Sequence, residues 1–415
     1  MRVLIATAGS HGDVVPYTGL GLRLRSAGHE VSIATHTRSA ELIRRCGLGF
    51  HPLPLDDQAM GEPGRQPGEQ GRGVRLPPAQ QMCLARQLAP KLADAVADAC
   101  ASHPEVLLVS GSLAPLGLTA AAGLRLPSIG VFLQPLAPTR EFPPVVPGMP
   151  SLGRLGNLAA GHCVQSVLAT AFRPGVRRLQ RRLGVTQGAL RRRRASWQVY
   201  HGFSPVVVPR PADWRPGMEV AGYWWPPQAL GWEPEPRLAE FLRSGPPPVY
   251  VGFGSMAGVG PEPVGRCVAR ALELARVRAV VQADWAGLSI EGDDVLTIGE
   301  APHTELFPLM SAVVHHAGAG TTAAGLRAGV PSVPVPVMLD QPFWASRLVA
   351  LDVSPGSIPL RRLSAEDLAA AIRKAVYEPR YRRRARQLAA SIRAEDGAGP
   401  VLAAVERLAD GGRSG

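Results

Sequence analysis

SAVVHHAGAGTTAAGLRAGVPSVPVPVMLDQ, residues 311–341, is the stretch on which the fold turns. A short apolar run ends in two histidines, a glycine-rich turn follows, a helical pattern opens at Thr321, and a second apolar run closes on Asp340-Gln341. Glycines at a strand-to-helix turn let backbone N–H groups and the positive end of a helix approach a pyrophosphate, and a neighbouring His or Thr can donate to the same oxygens. Asp340 and Gln341, at the end of the next strand, offer carboxylate oxygens and an amide that suit sugar hydroxyls. That describes a nucleotide-sugar site. The same residues also fit G-x-G-x-x-[GA] over Gly318 to Ala323, with Asp340 lying 20 residues beyond Gly320, which is the spacing of a nicotinamide-dinucleotide fingerprint. Two details weigh against NAD: the strand ends in His315-His316, and only Thr321 to Gly329 remains for the helix.

Strand and helix patterns alternate on the amino side of this stretch, and helical patterns run from it to the end. Towards the amino end lie the runs 248–255, 277–284 and 294–300, with a helix near 261–276. A comparable series opens the chain, with strand-like runs at 2–7, 29–36, 48–53, 105–110 and 127–133, and a long helix near 79–101. Between Met60 and Pro78 the composition turns to Gly, Pro and Gln, which cannot build a core and reads as a mobile loop. Residues 210–248, rich in Pro and Trp, read as the linker between domains. The expectation is an α/β protein of two Rossmann-like domains, 1–222 and 223–415, facing across a cleft, the last helix free to pack back on the first domain. Ligands of open α/β sheets bind at the carboxyl ends of the strands.

At 415 residues the chain exceeds what one hydrophobic core supports, and it is 46% hydrophobic and 19% charged, an ordinary globular composition. No stretch approaches the roughly 20 apolar residues of a membrane span, and the opening apolar run is too short for a signal-peptide core, so a cytoplasmic protein is expected. The five cysteines are scattered with no metal-ligand spacing and read as reduced thiols; no metal site is expected. A formal net charge of +12 rests almost wholly on arginine, Lys91 and Lys374 being the only lysines. No nucleic-acid motif accompanies that charge. The densest cluster, Arg177 to Arg194, reads as a solvated helix face, with weak contact to a membrane surface as the alternative.

The motif HHAGAGTTAAGLRAGVPSVPVPVMLDQPFWASRL resembles the donor-binding signature of glycosyltransferase family 1, whose members have the GT-B fold. Within it the chain is most similar to the bacterial branch of sterol-type and antibiotic glycosyltransferases, also through AGSHGDVVPYTGLGLRLRSAGHEV, PADW, GYWW, PVYVGFGSM and APHTELFP. The resemblance implies that His316 contacts a donor phosphate and that Gly318, Gly320, Thr321 and, from another loop, Ser255 line the diphosphate. It further implies that Ala301, Pro302 and His303 recognise the nucleobase, largely through backbone, and that Asp340 and Gln341 hold sugar hydroxyls. The implied reaction is inverting transfer of a hexose from a UDP- or TDP-sugar to a hydroxyl of a hydrophobic natural product such as a polyketide, macrolide or sterol-like aglycone. No metal or other cofactor is required, and no nucleic acid takes part. Alternatives are a sugar-nucleotide epimerase or hydrolase of the same fold, and the NAD-dependent oxidoreductase.

Direct displacement needs a general base near the acceptor oxygen. His11 and Asp13, in the loop AGSHGDVVP after the first strand, are the candidates. In relatives with a histidine base the pattern is G-H-x-x-P, and Gly12 to Pro16 puts Asp13 at the position of that histidine. In the antibiotic and sterol-type branch an Asp there is usual, preceded by Arg-Gly, where this chain has His11-Gly12. Ser110 stands where His-base relatives carry an orienting Asp, which favours Asp13. Asp13 also suits the N-cap of a helix starting at Val14.

Overall fold

The computed structural model describes residues 1–54, 78–146, 148–227, 232–254, 261–283, 290 and 292–413. The loop expected at 60–78 lies, but for Pro78, outside them. The chain opens as β1 (Arg2–Ala6), α1 (Val15–Ser26), β2 (Glu30–Thr35), α2 (Ala40–Arg45) and β3 (Gly49–Pro52). It continues with α3 (Pro78–Ala99), β4 (Val106–Val109), α4 (Ala114–Gly123) and β5 (Ser128–Phe132). Then come α5 (Gly153–Leu183), α6 (Gln187–Ser196), β6 (Val199–His201) and β7 (Met218–Val220). These seven strands form one sheet in the order β3-β2-β1-β4-β5-β6-β7, and every neighbouring pair is parallel. β4 is buried along its whole length, as a central strand covered by helices on both faces must be, and so its sequence is unbroken VLLV.

The second series runs α7 (Pro236–Arg243), β8 (Val249–Gly252), α8 (Pro261–Ala275), β9 (Ala279–Gln282), β10 (Val295–Ile298) and the single turn α9 (His303–Leu306). It ends with β11 (Ala312–His315), α10 (Ala319–Ala328), β12 (Ser332–Pro334), α11 (Gln341–Ala350), α12 (Ala365–Tyr377) and α13 (Pro379–Arg393). Its sheet is also parallel, in the order β10-β9-β8-β11-β12. Val249, Val251, Val281, Val314 and Val333 fill its core against Val268 and Leu272 of α8 and Leu368 and Ile372 of α12.

Two compact units result, one of residues 1–64, 76–227 and 395–415, the other built mainly from 228–394. The last helix, α14 (Gly399–Arg413), belongs to the first unit, where Val401, Ala404 and Val405 are buried with Val3, Leu20 and Leu24. Burying each valine stabilises by roughly 1.5–3 kcal/mol. The returning chain needs glycine: Gly222 has φ +108°, and a Cβ on Gly397 would sit 2.5 Å from the carbonyl oxygen of Tyr223. Trp224 then donates from Nε1 to the Gly397 carbonyl at 2.9 Å.

The Pro- and Trp-rich stretch 210–248 is more ordered than a linker. It contains β7 and α7, and the first unit runs on to Pro227. Arg210 organises it by donating to the carbonyls of Met218, Trp214 and Arg215 at 2.6, 3.0 and 3.0 Å, while Trp214 stacks on the buried His201 ring at 4.5 Å. Part of the basic cluster also works internally. Arg178 makes two 2.7 Å bonds to Asp94 and Arg182 one of 2.8 Å to Asp98, tying α5 to α3, and Arg193 donates to the Leu126 carbonyl. Arg177, Arg181, Arg191, Arg192 and Arg194 keep an exposed basic face. Among the described residues no helix is long and apolar enough to cross a membrane.

Candidate active site

Both sheets reverse their strand order in the middle, between β1 and β4 in the first unit and between β8 and β11 in the second. Crevices at the carboxyl ends of strands flanking such a reversal are where ligands bind in open α/β sheets. His11, Asp13 and Ser110 leave β1 and β4; His316 and Gly318 leave β11. Ser255, in the loop after β8, lies outside the described residues.

In the first unit the loop after β1 is fastened from three sides. Ser112 Oγ donates to the Ala8 carbonyl at 2.6 Å and bonds Ser110 Oγ at 2.9 Å, so Ser110 braces the loop. From the end of β2, buried His36 donates through Nε2 to the Gly9 carbonyl at 2.8 Å, and Arg38 Nη2 reaches the same oxygen at 3.2 Å. Because Nε2 is the donor, Nδ1 accepts, and Ser39 Oγ supplies its proton at 3.2 Å. Gly9 has φ +151°, and a Cβ there would come within 2.5 Å of the Asp13 Cβ. Only glycine leaves that carboxylate its room.

Residues His11–Asp13 form one 3-10 turn, with His11 exposed and Asp13 half-buried. The N-cap expectation for Asp13 is corrected: α1 starts at Val15 with Val14 before it, and the Asp13 carboxylate turns back instead. Its Oδ2 accepts from Ser10 N–H at 2.9 Å and from Ser10 Oγ at 3.0 Å, and its Oδ1 accepts from Gln134 Nε2 at 3.2 Å. Below it, burial pushes the Tyr17 phenol well above its usual range and the Asp13 charge adds to the shift, so Tyr17 stays protonated and donates to the Val131 carbonyl at 2.7 Å. Gln134 follows β5 and leads into a proline-rich segment. Pro135, Leu136, Pro138, Phe142 and Val145 of that segment, with Val164 of α5, line an apolar pocket.

In the second unit the turn from β11 to α10 is made by Ala317 at φ 61°, its N–H held at 3.1 Å by Nδ1 of fully buried His315. The His316 ring lies between two glycines. A Cβ on Gly254 would come 2.9 Å from its Cε1, and one on Gly318 would collide with Nε2. Nδ1 of His316 is buried without a partner within the described residues. Gly318, at the N-cap of α10, has no side chain to bond the first N–H groups of the helix, so its positive end is open to an anion. Gly320 is exposed on that first turn, and a Cβ there would meet no atom within 4 Å. Gly320→Ala is therefore expected to leave the melting temperature unchanged or slightly higher, since alanine gains up to about 1 kcal/mol in a helix. Its affinity for TDP or UDP should still fall about tenfold or more by calorimetry, because the methyl group occupies the space of approach; unchanged affinity would remove Gly320 from the donor site.

The proposed nucleobase segment is turned partly inward. Pro302 caps α9, and the His303 ring stacks on Phe307 at 4.4 Å while its Nε2 bonds Tyr250 Oη at 3.1 Å, leaving Ala301 and Pro302 half-exposed. Gln341 is likewise committed: its Oε1 accepts from Val337 N–H at 2.8 Å and Met338 N–H at 3.0 Å. Asp340 Oδ2 accepts from Trp344 Nε1 at 2.9 Å, which orients the carboxylate. His36, Gln134 and Gly254 were not legible as site residues; their one sequence signal is a place just past a strand's carboxyl end.

Burial lowers the pKa of His303 and His316 to about 4 and of His315 to about 3, with repulsion from His303 adding to the effect for His316 and from His316 and His303 for His315. Unfolded, each would take a proton near pH 6.5, so the folded unit binds fewer protons between pH 6.5 and 4. Stability is then full above about pH 6.5 and declines as the pH falls towards 4, by on the order of 3 kcal/mol for one fully buried imidazole. Thermal melts at pH 7.5 and 5.0 should show a large drop at the lower pH, and His315→Gln should reduce it by the share of one imidazole; a pH-independent melt would contradict the neutral buried state.

Two parallel α/β units, each presenting polar loops at its sheet's reversal point, define the GT-B architecture. A solved glycosyltransferase, SsfS6 of Streptomyces sp. SF2575 complexed with thymidine diphosphate, shares it with a TM-score of 0.64 at 21% identity over 98% of this chain and 99% of that one. Residues 3–110 match the glycosyltransferase family 28 N-terminal domain, and residues 277–408 match the C-terminal domain of erythromycin biosynthesis protein CIII-like sequences. An O-mycaminosyltylonolide 6-deoxyallosyltransferase of Streptomyces fradiae is 34% identical over 99% of this chain and 98% of its own length. A sterol 3-beta-glucosyltransferase of Arabidopsis thaliana is 32% identical over 98% of this chain, which spans 66% of that relative. The chain belongs to this family of GT-B glycosyltransferases, which joins sterol and antibiotic glycosyltransferases. The dinucleotide reading of Gly318 to Ala323 gives way to it.

Proposed function

We propose that the protein transfers a hexose from a UDP- or TDP-sugar to a hydroxyl of a hydrophobic small molecule, a polyketide, macrolide or sterol-like aglycone, with inversion at the anomeric carbon. The observation that carries the reading is the Asp13 carboxylate at the reversal point of the first sheet, with hydrogen bonds from Ser10 and Gln134 on its two oxygens. An oriented carboxylate can take the acceptor proton as the acceptor oxygen attacks. His11, exposed on the same turn, lines the acceptor side and is the second candidate for that proton. The proline-rich segment beyond Gln134, with Leu136, Phe142 and Val145, supplies apolar side chains on the acceptor unit.

On the donor side, the departing diphosphate gathers negative charge on its leaving oxygen. The reading assigns that charge to the open N-terminus of α10, to His316 and to Thr321, with Gly318 and Gly320 allowing the close approach, so no metal ion is called for. Ser255 is assigned to the same diphosphate by resemblance alone. Ala301, Pro302 and His303 are assigned to the base, and Asp340 and Gln341 to the sugar. The thymidine diphosphate bound by SsfS6 and the deoxysugar transfer named for the Streptomyces fradiae relative favour a TDP-sugar, while the plant relative is named for transfer of glucose.

The test crosses UDP-glucose, TDP-glucose and TDP-rhamnose with a sterol, a macrolactone and an aromatic polyketide, with products read by mass spectrometry. A product one hexose or deoxyhexose heavier than an aglycone is the expected result. Consumption of the sugar nucleotide without acceptor would instead point to an epimerase or hydrolase.

A further inference from the structure

The carboxylate of Asp13 has two chemically distinct oxygens. Oδ2 takes both donors of Ser10, from within the same turn, whereas Oδ1 takes Gln134 Nε2 at 3.2 Å, from a residue 121 positions away that follows β5. Ser10 belongs to the loop that His36, Arg38 and Ser112 hold in place through Gly9 and Ala8. The Oδ2 side is therefore fixed by the loop itself. The carboxylate plane is thus held at both edges, by Ser10 on Oδ2 and, from outside that loop, by Gln134 on Oδ1.

We infer that Gln134 is a positioning residue for the reaction: it holds Asp13 Oδ1 in the orientation in which that oxygen receives the acceptor proton. The inference rests on the reading of Asp13 as the base. In the step concerned, the acceptor O–H bond breaks with its proton passing to Asp13 Oδ1, and the acceptor oxygen bonds the anomeric carbon. The bond from that carbon to the diphosphate oxygen breaks with its electron pair on the leaving group. Gln134 exchanges no proton; its Nε2–H stays on one lone pair of Oδ1 and directs another to the acceptor.

The experiment uses the full chain with TDP-glucose or UDP-glucose and whichever of a sterol or a macrolactone is turned over. Gln134→Met keeps the length and removes the donor. It should lower kcat by about 10- to 100-fold, the weight of a hydrogen bond to a charged group, with the affinity for TDP or UDP unchanged. Gln134→Glu keeps the shape but sets a second carboxylate against Asp13, and should lower kcat further. On an Asp13→Asn background, Gln134→Met should have no further effect on the residual rate, which a general loss of packing would not reproduce. Wild-type kcat in either single variant, or the same fold-loss on both backgrounds, would overturn the role of Gln134 while leaving Asp13 as the base. Full activity in Asp13→Asn would instead remove the reading on which it rests.

Discussion

Asp13→Asn is expected to lower kcat by about 10³-fold, within the 10²- to 10⁴-fold range that a positioned general base contributes. The substitution keeps the shape of the side chain, and Ser10 N–H can still bond the amide oxygen, so the melting temperature should stay within a few degrees of wild type. Binding of TDP or UDP, measured by calorimetry, should be unaffected, because the residues assigned to the diphosphate belong to the other unit. A stopped reaction with intact nucleotide binding is thus the signature. His11→Ala provides the comparison: a smaller loss than that of Asp13→Asn keeps His11 as a residue lining the acceptor side, and a larger one would exchange the two roles. A kcat within threefold of wild type for Asp13→Asn would end the assignment.

His316→Ala has the second large effect. Its ring fills the space between Gly254 and Gly318 beside the open N-terminus of α10, and its Nδ1 is buried without a partner within the described residues. Removing one donor to a developing oxyanion costs about 10²- to 10³-fold. Here the loss should fall on kcat/KM for the sugar nucleotide and be matched by weaker TDP binding, the opposite of the Asp13→Asn pattern. The variant also deletes an imidazole held neutral by burial, so its melting temperature should fall less than that of wild type between pH 7.5 and 5.0. Unchanged TDP affinity would show that His316 does not face the diphosphate.

These two residues were legible because short-range pattern and strand order carry the same information. A strand, a glycine turn and a helix put His316 and Gly318 at a helix N-terminus whatever the rest of the chain does, and a β1 loop with Asp13 three residues before Pro16 does the same for the acceptor side. Parallel strands buried on both faces read as apolar runs, which is why the alternation could be followed from Arg2 to Pro334. The boundary between the units does fall within 210–248, and the order of its first part comes from Arg210 bonding three carbonyls and from Trp214 stacked on His201, contacts that no local periodicity encodes.

By itself the sequence determined the two α/β series, the polar loops at the strand ends and the candidates Asp13 and His316, because these depend on residues adjacent in the chain. Only the tertiary structure decided how the candidates are held. Gln134 reaches Asp13 across 121 positions, His36 reaches Gly9 across 27, and Gly397 lies against Gly222 where α14 rejoins the first unit. Such contacts arise from strand order and close packing, and a one-dimensional pattern has no term for either.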